Sequence, residues 1–115
     1  MIRDFMILKN LTKNTLISGN LKEASSFSDR TFGLLKKNNP QSLLFRTRFG
    51  IHTFGLIDPI DVLALDSHWK VVKICTHLKP NRLFFYNPLF SIVIELPENS
   101  IKSSNTTTDD LLSTT

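Results

Sequence analysis

The chain has one cysteine in 115 residues, Cys75. No intrachain disulfide can form, and a reducing compartment is permitted. The same scarcity removes a zinc ribbon, which needs cysteine pairs. Long hydrophobic runs are also missing. Even LFFYNPLFSIVIEL is cut by Asn87, Pro88 and Glu95, short of the ~18 uninterrupted apolar residues of a spanning helix. The opening MIRDFMILKNLTKN carries Arg3 and Asp4 and only a brief apolar run, too short for the core of a secretory signal. The expectation is a cytoplasmic chain with no membrane span. There is no HExxH, no glycine-rich loop before a helix and no GxSxG, so the common zinc-protease, P-loop and α/β-hydrolase readings fall away.

What is present suits one globular core. Hydrophobic residues make up 41% and charged residues 21%, and a chain of this length buries roughly two thirds of its unfolded surface. The net charge of +4 is unevenly placed, because the last twenty residues hold one Lys and three acids. Arg30, Lys36, Lys37, Arg46 and Arg48 form a stretch with no acid among them. Such a run favours a polyanion such as nucleic acid. It is also the make-up of an ordinary solvated face, which is the preferred reading.

Hydrophobic periodicity predicts a mainly β (α+β) domain. DFMILKNL and NTLISGNLKEA read as a hairpin or meander, with a turn signal at Gly19-Asn20. One helix is predicted over 26–37: Ser26 or Ser28 caps it, Asp29 lies in its first turn, and Lys36 and Lys37 close it before Pro40. After Pro40 come short β-type runs, SLLFRT, GIHTF, IDVLALD, WKVVKICTHL and FSIVIELP, with a tight hairpin at Ser67-His68. Simple alternation sends Val71, Lys73, Cys75 and His77 to one face and Val72, Ile74 and Thr76 to the other, the second being the expected core. The tail, 103–115, is rich in Ser, Thr and Asp and without period, so it is expected to be disordered. The expected architecture is therefore a single domain over 1–102, a compact antiparallel β-barrel or sandwich with one short helix packed on it.

Polar residues stand out in FGIHTFGLIDPIDVLALD, residues 49–66. His52 and Asp61 fall on neighbouring predicted strands, where an acid and an imidazole can meet for hydrolytic or metal chemistry. A His–carboxylate contact inside a β-core is more often structural, the acid satisfying a buried polar group. Asp61 shares a strand face with Leu63 and Leu65, so burial is expected, with His52, Thr53 or backbone N–H groups of the 55–59 bend as partners. Thr53 is discounted as a nucleophile because its neighbour His52 points to the opposite face. Cys75 beside Lys73 and His77 suggests an acidified thiol; the competing and preferred reading is a small buried hydrophobe. LKPNRLFFYN interleaves Lys79 and Arg82 with aromatics including Tyr86, a possible rim for a ligand and equally an ordinary half-buried strand.

Several of these segments together resemble the DUF192 family, also designated UPF0127, a small domain of unknown function. The resemblance runs from about Ala24 to Pro97. It begins with the spacing of Ala24, Ser26, Arg30, Gly33, Leu34 and Leu35 and continues in IHTFGLIDPIDVLALD, then in VV at 71–72, LKPNR at 78–82 and IELP at 94–97. It implies a mainly-β fold with a helix and implies no activity. Four departures are visible: Leu56 stands for a Met, Trp69 for a turn glycine, Tyr86 for a cysteine and Asn99 for a glycine.

The motif residues Arg30, His52, Thr53, Phe54, Asp61 and Asp66 are thus the candidate pocket, with Lys79, Arg82 and Tyr86 as its rim. No catalytic set, no metal ligands and no cofactor are assigned. The preferred function is a non-enzymatic binding or scaffold module for a protein or small ligand. The alternatives are a small hydrolase or metal-dependent enzyme using His52 and Asp61, and nucleic-acid binding through Arg30–Arg48.

Overall fold

The computed structural model describes residues 5–24, 42–46, 51–53, 56–84, 87, 90 and 92–115. The helix expected over 26–37 lies outside the described residues. Within them the elements run β1 (Met6–Asn10), β2 (Thr15–Glu23), β3 (Ser42–Arg46), β4 (Ile51–His52), β5 (Ile60–Leu65), β6 (Val71–Leu78), β7 (Leu83–Phe84), β8 (Ile92–Pro97), α1 (Ser100–Ser103) and β9 (Leu112–Thr114). Seven strands form one sheet in the order β6-β5-β8-β3-β2-β1-β9, and β4 pairs with β7 in a two-stranded ribbon. The fold is mainly β, as expected. The pairs are antiparallel except β2–β3, which is parallel.

β5 is buried along its whole length, IDVLAL. Its two faces feed two separate apolar clusters. Leu63 and Leu65 join Leu8, Ile17, Leu21, Leu44, Ile94 and Leu96 on the inner side of the curled sheet. Val62 and Ala64 join Leu56, Phe84 and Val93 on the other side, against which Ile51 of the β4–β7 ribbon packs. Full burial of a Leu or Val side chain contributes about 1.5–3 kcal/mol, so a strand buried on both faces is where the stabilisation concentrates.

Simple alternation fails in β6. The β5–β6 register slips twice: Leu65 faces Val71 while Ala64 faces Lys73, and Val62 faces Cys75 while Ile60 faces Leu78. Each slip is an extra residue on β6, and an extra residue reverses the side-chain direction. Val71 and Ile74 therefore belong to the inner cluster, Val72 and Cys75 to the outer one. Gly19-Asn20 is likewise no turn: it lies inside β2, where Met6 faces Leu21 but Leu8 faces Ser18. The chain reverses instead at 11–14, with Asn14 at φ 56°.

The β5–β6 loop is longer than the two residues expected. Asp66 N–H donates to Lys70 O, and Trp69 N–H donates to Asp66 O, both at 3.0 Å. This is a three-residue loop whose last residue takes a left-handed conformation, and Trp69 does so at φ 64°. Glycine adopts that conformation without steric cost; tryptophan does not. The indole packs against the inner cluster, and that burial offsets the backbone strain.

The expectation of a disordered tail is corrected. α1 inserts Ile101 into the inner cluster, and Leu112 of β9 joins it. β9 pairs with β1 at one edge of the sheet, while Leu111, just before it, bridges Lys70 beside β6 at the opposite edge. Asp109 N–H donates to Val71 O at 2.8 Å, Val71 N–H to Asp110 O at 2.9 Å and Leu112 N–H to Trp69 O at 3.0 Å. One polar segment thus ties β1 to β6 and closes the curl.

Candidate functional site

Thr53 follows β4 and is fully buried. Its hydroxyl donates to Lys79 O at 2.7 Å and accepts from Arg82 N–H at 2.8 Å. Its backbone N–H donates to Arg82 O at 2.9 Å, and its carbonyl accepts from Asn81 N–H at 3.1 Å. A single residue thereby satisfies both ends of the β6–β7 connection, where Asn81 sits at φ 61°. The connection is held rigid, with Lys79 and Arg82 exposed on it. Lys73, on β6, places its ammonium 4.8 Å from the centre of the Phe84 ring on β7. Two exposed cations, Lys79 and Arg82, are therefore carried on one fixed turn.

Asp61 is fully buried, and among the described residues the groups that hold it are neither Thr53 nor the backbone N–H groups of 56–58. One carboxylate oxygen accepts from His77 N–H at 3.1 Å, the other from Ile101 N–H at 3.0 Å. The reason is directional. Asp61 shares the inner face of β5 with Leu63 and Leu65, whereas Ile51, beside His52, packs into the outer cluster. Each acceptance meets a local need: His77 has φ 55° at the β6 register slip, and α1 begins after Asn99 at φ 76°. His77 adds a second tie to the same region, its Nδ1 lying 2.6 Å from Glu98 Oε2.

Asp66 accepts from His68 N–H at 2.9 Å and from Lys70 N–H at 3.0 Å. It holds the strained β5–β6 loop together. Burial pushes the Cys75 thiol up, against the lowering effect of Lys73; a thiol raised in this way is a poor nucleophile at neutral pH. Arg30, Phe54 and Tyr86 lie outside the described residues, as do Lys36, Lys37 and Arg48 of the basic stretch. Of His52 the structure describes the backbone alone, paired with Leu83. Arg46 forms an exposed ion pair with Glu23 at 3.3 Å. Among the described residues, no three of His, Cys, Asp and Glu converge as metal ligands.

Two buried acids escaped the reading of the sequence. Glu95 is fully buried in β8, facing Val62 and Leu43 in register. Its signal was present: a lone acid within the apolar run SIVIEL. Asp110 is the other, and no apolar pattern surrounds it. Its carboxylate accepts from Asn10 Nδ2 at 2.8 Å, from Lys13 Nζ at 2.8 Å and from Thr107 N–H at 2.9 Å. Burial works to raise its pKa, but Lys13, Asn10 and Thr107 together hold it down to about 2.

The sequence has relatives among curated proteins. A UPF0127 protein of Pyrococcus horikoshii is 34% identical over 97 residues, covering 79% of this chain and 84% of its own. One from Thermococcus kodakarensis is 34% identical over 113 residues, covering 92% of this chain and 71% of its own. The chain belongs to the UPF0127 family. A UPF0127 protein of Pyrococcus abyssi agrees, at 34% over 97 residues, or 79% of this chain and 82% of that protein. A scan against family profiles finds no match.

Two solved structures share the UPF0127 chain's fold. A protein of unknown function from Novosphingobium aromaticivorans superposes with a TM-score of 0.72 at 10% identity, over 94% of this chain and 82% of that one. A candidate transcription regulator from Sinorhizobium meliloti does so with a TM-score of 0.70 at 17% identity, over 95% and 91%. At these identities the likeness is one of fold.

Proposed function

We propose that this UPF0127 chain is a non-enzymatic binding module whose working surface is the β6–β7 corner, where Lys79 and Arg82 receive a partner carrying carboxylates or phosphates. The observation that carries this reading is the Thr53 clamp. A fully buried hydroxyl and both backbone groups of one residue are committed to fixing a turn that presents two exposed cations. Preorganised cations bind with less loss of side-chain and loop freedom than mobile ones. The enzyme reading finds less support, because both oxygens of Asp61 are engaged by backbone N–H groups on the inner face. The carboxylate is also fully buried, so it is not presented to a substrate.

The test is a titration of the ¹⁵N-labelled protein with a glutamate-rich peptide, with inorganic phosphate as the comparison anion. Saturable amide shifts confined to residues 79–84, weakened in Lys79→Ala and Arg82→Ala, are the expected result. Shifts spread evenly over the exposed lysines, or none at all, overturn the assignment of the site.

A further inference from the structure

A second surface lies on the opposite side of β1 from the inner cluster. Along β1 the side chains alternate: Leu8 points into the inner cluster, and Ile7 and Lys9 point out. The register extends this outer face sideways in both directions. Lys9 faces Leu16 on β2 and Ser113 on β9, and Leu11 N–H donates to Leu111 O at 2.8 Å. Residues two apart on a strand share a face, so Phe5, Ile7, Leu11, Leu16 and Leu111 form one strip with Lys9 in its middle. These five side chains are each 40 to 59% exposed. The other strongly exposed large apolar residues among those described, Ile57 and Leu83, belong to the connection before β5 and to β7.

Contiguous exposed apolar surface on a small domain marks a place of interaction, and the charge around this strip narrows the partner. Residues 5–22 hold no acid, and their unpaired lysines are Lys9 and Lys22, since Lys13 is paired with Asp110 at 2.8 Å. Asp109 near the margin is offset by Lys70, which bridges Leu111. A lysine at the centre of the strip is poorly suited to the desolvated core of a protein interface, where lysine is depleted. It also sets like charges together if two copies stack face to face. A lipid surface has neither difficulty. Apolar side chains enter the headgroup boundary, while the lysine stem lies along them and its ammonium reaches the phosphates.

We infer that the outer face of β2-β1-β9 docks on an anionic lipid surface, lying on the membrane and not spanning it. No helix among the described residues is long and apolar enough to cross a bilayer, so attachment by this face would be peripheral. This surface shares no residue with the β6–β7 corner.

Cosedimentation with phosphatidylcholine vesicles, with and without phosphatidylglycerol, tests the inference. The wild-type protein is expected to pellet with the anionic vesicles and far less with phosphatidylcholine alone, and to be released as salt rises. Lys9→Glu should weaken binding about tenfold, since it replaces one attraction by a repulsion. Leu11→Ser combined with Leu16→Ser should abolish binding with an unchanged melting temperature, because both side chains are already in solvent. Failure of the wild type to bind anionic vesicles overturns the inference. So does undiminished binding by the double variant. A wild-type dimer in sedimentation equilibrium that becomes monomeric in the double variant would show that a second copy covers the face, and would overturn it equally.

Discussion

β5 and the segment 104–115 are opposites in composition and alike in consequence. β5, IDVLAL, is apolar around one acid and buried on both faces. The C-terminal segment, SNTTTDDLLSTT, is nearly all polar, yet it buries Ser104, Thr106, Asp110 and Leu112. The first is held by apolar contact with every neighbour. The second is held by hydrogen bonds: Asn10 Nδ2 to Thr106 Oγ1 at 3.1 Å, Ser104 Oγ against Thr106 Oγ1 at 2.7 Å, and Thr15 Oγ1 to Ser104 O at 2.7 Å. The difference teaches that a segment without hydrophobic periodicity can still belong to the core when its polar groups satisfy one another.

The largest effect is expected from removing the segment. Deleting 104–115 takes Leu112 from the inner cluster, leaves Asn10 without its partners, and frees the edges of β1 and β6. Loss of about 5 kcal/mol is expected, roughly 2–3 of it from Leu112 and the rest from the buried polar contacts and edge pairing. Against the 5–15 kcal/mol typical of a domain, that approaches the whole stability. Chemical denaturation of the truncated chain checks this. A truncated protein that unfolds cooperatively within about 1 kcal/mol of wild type would return the segment to the status of a tail.

The next largest is Asp61→Ala. It leaves the buried Ile101 N–H and the part-buried His77 N–H without their acceptor, and hydrogen bonds to a charged group contribute about 1.5–3 kcal/mol each. A loss of roughly 3–4 kcal/mol is expected by urea denaturation. Hydrogen exchange should rise at those two amides first. A variant as stable as wild type would mean that water or a rearranged α1 replaces the carboxylate, and the structural account of Asp61 would fail.

These two regions also mark how far the sequence could be read. The strand content, the burial of Asp61 and the β5–β6 hairpin follow from alternation and turn signals, because β5 is regular and buried between two apolar layers. The partners of Asp61 do not follow, since both are backbone groups set by the left-handed His77 and by the start of α1, neither of which leaves a residue signature. The faces of β6 differ from simple alternation for a related reason: Val71 and Cys75 are on opposite sides only because of the register slip between Val71 and Lys73, and a slip is a property of the pair of strands. The closure by 104–115 was invisible, because a hydropathy pattern weighs Thr106 and Asp110 as solvent-seeking and cannot see Asn10, 96 and 100 residues away from them. Of the candidate site, Thr53 and Asp66 each have a structural task. The task is to hold backbone, and nothing in IHTF or LALD distinguishes that from binding.

The smallest and most discriminating effect concerns Asp110 and acid. Its pKa lies at about 2 in the folded protein against an ordinary 3.8, so the folded state binds the proton less readily than the unfolded chain. Stability from this group is therefore complete above about pH 4 to 5 and is lost as the pH falls through the ordinary value toward 2. The shift corresponds to about 2 kcal/mol at most. Lys13, its ionic partner, is one-third exposed, so screening by solvent brings the expected loss to roughly 1–2 kcal/mol. Melts of wild type and Asp110→Asn between pH 6 and pH 2.5 check this, the variant being less stable at neutral pH and the two curves converging in acid. Lys13→Met sharpens the point. It removes the ammonium but leaves Asn10 and Thr107 as donors, so part of the acid dependence should survive, because the carboxylate is held by a site and not by a single ion pair. Parallel curves for wild type and Asp110→Asn across the whole range would mean that the Asp110 contacts form without favouring the ionised acid. The closing segment would then be held by its backbone pairing and by Leu112, and the contrast with β5 would narrow to one of composition.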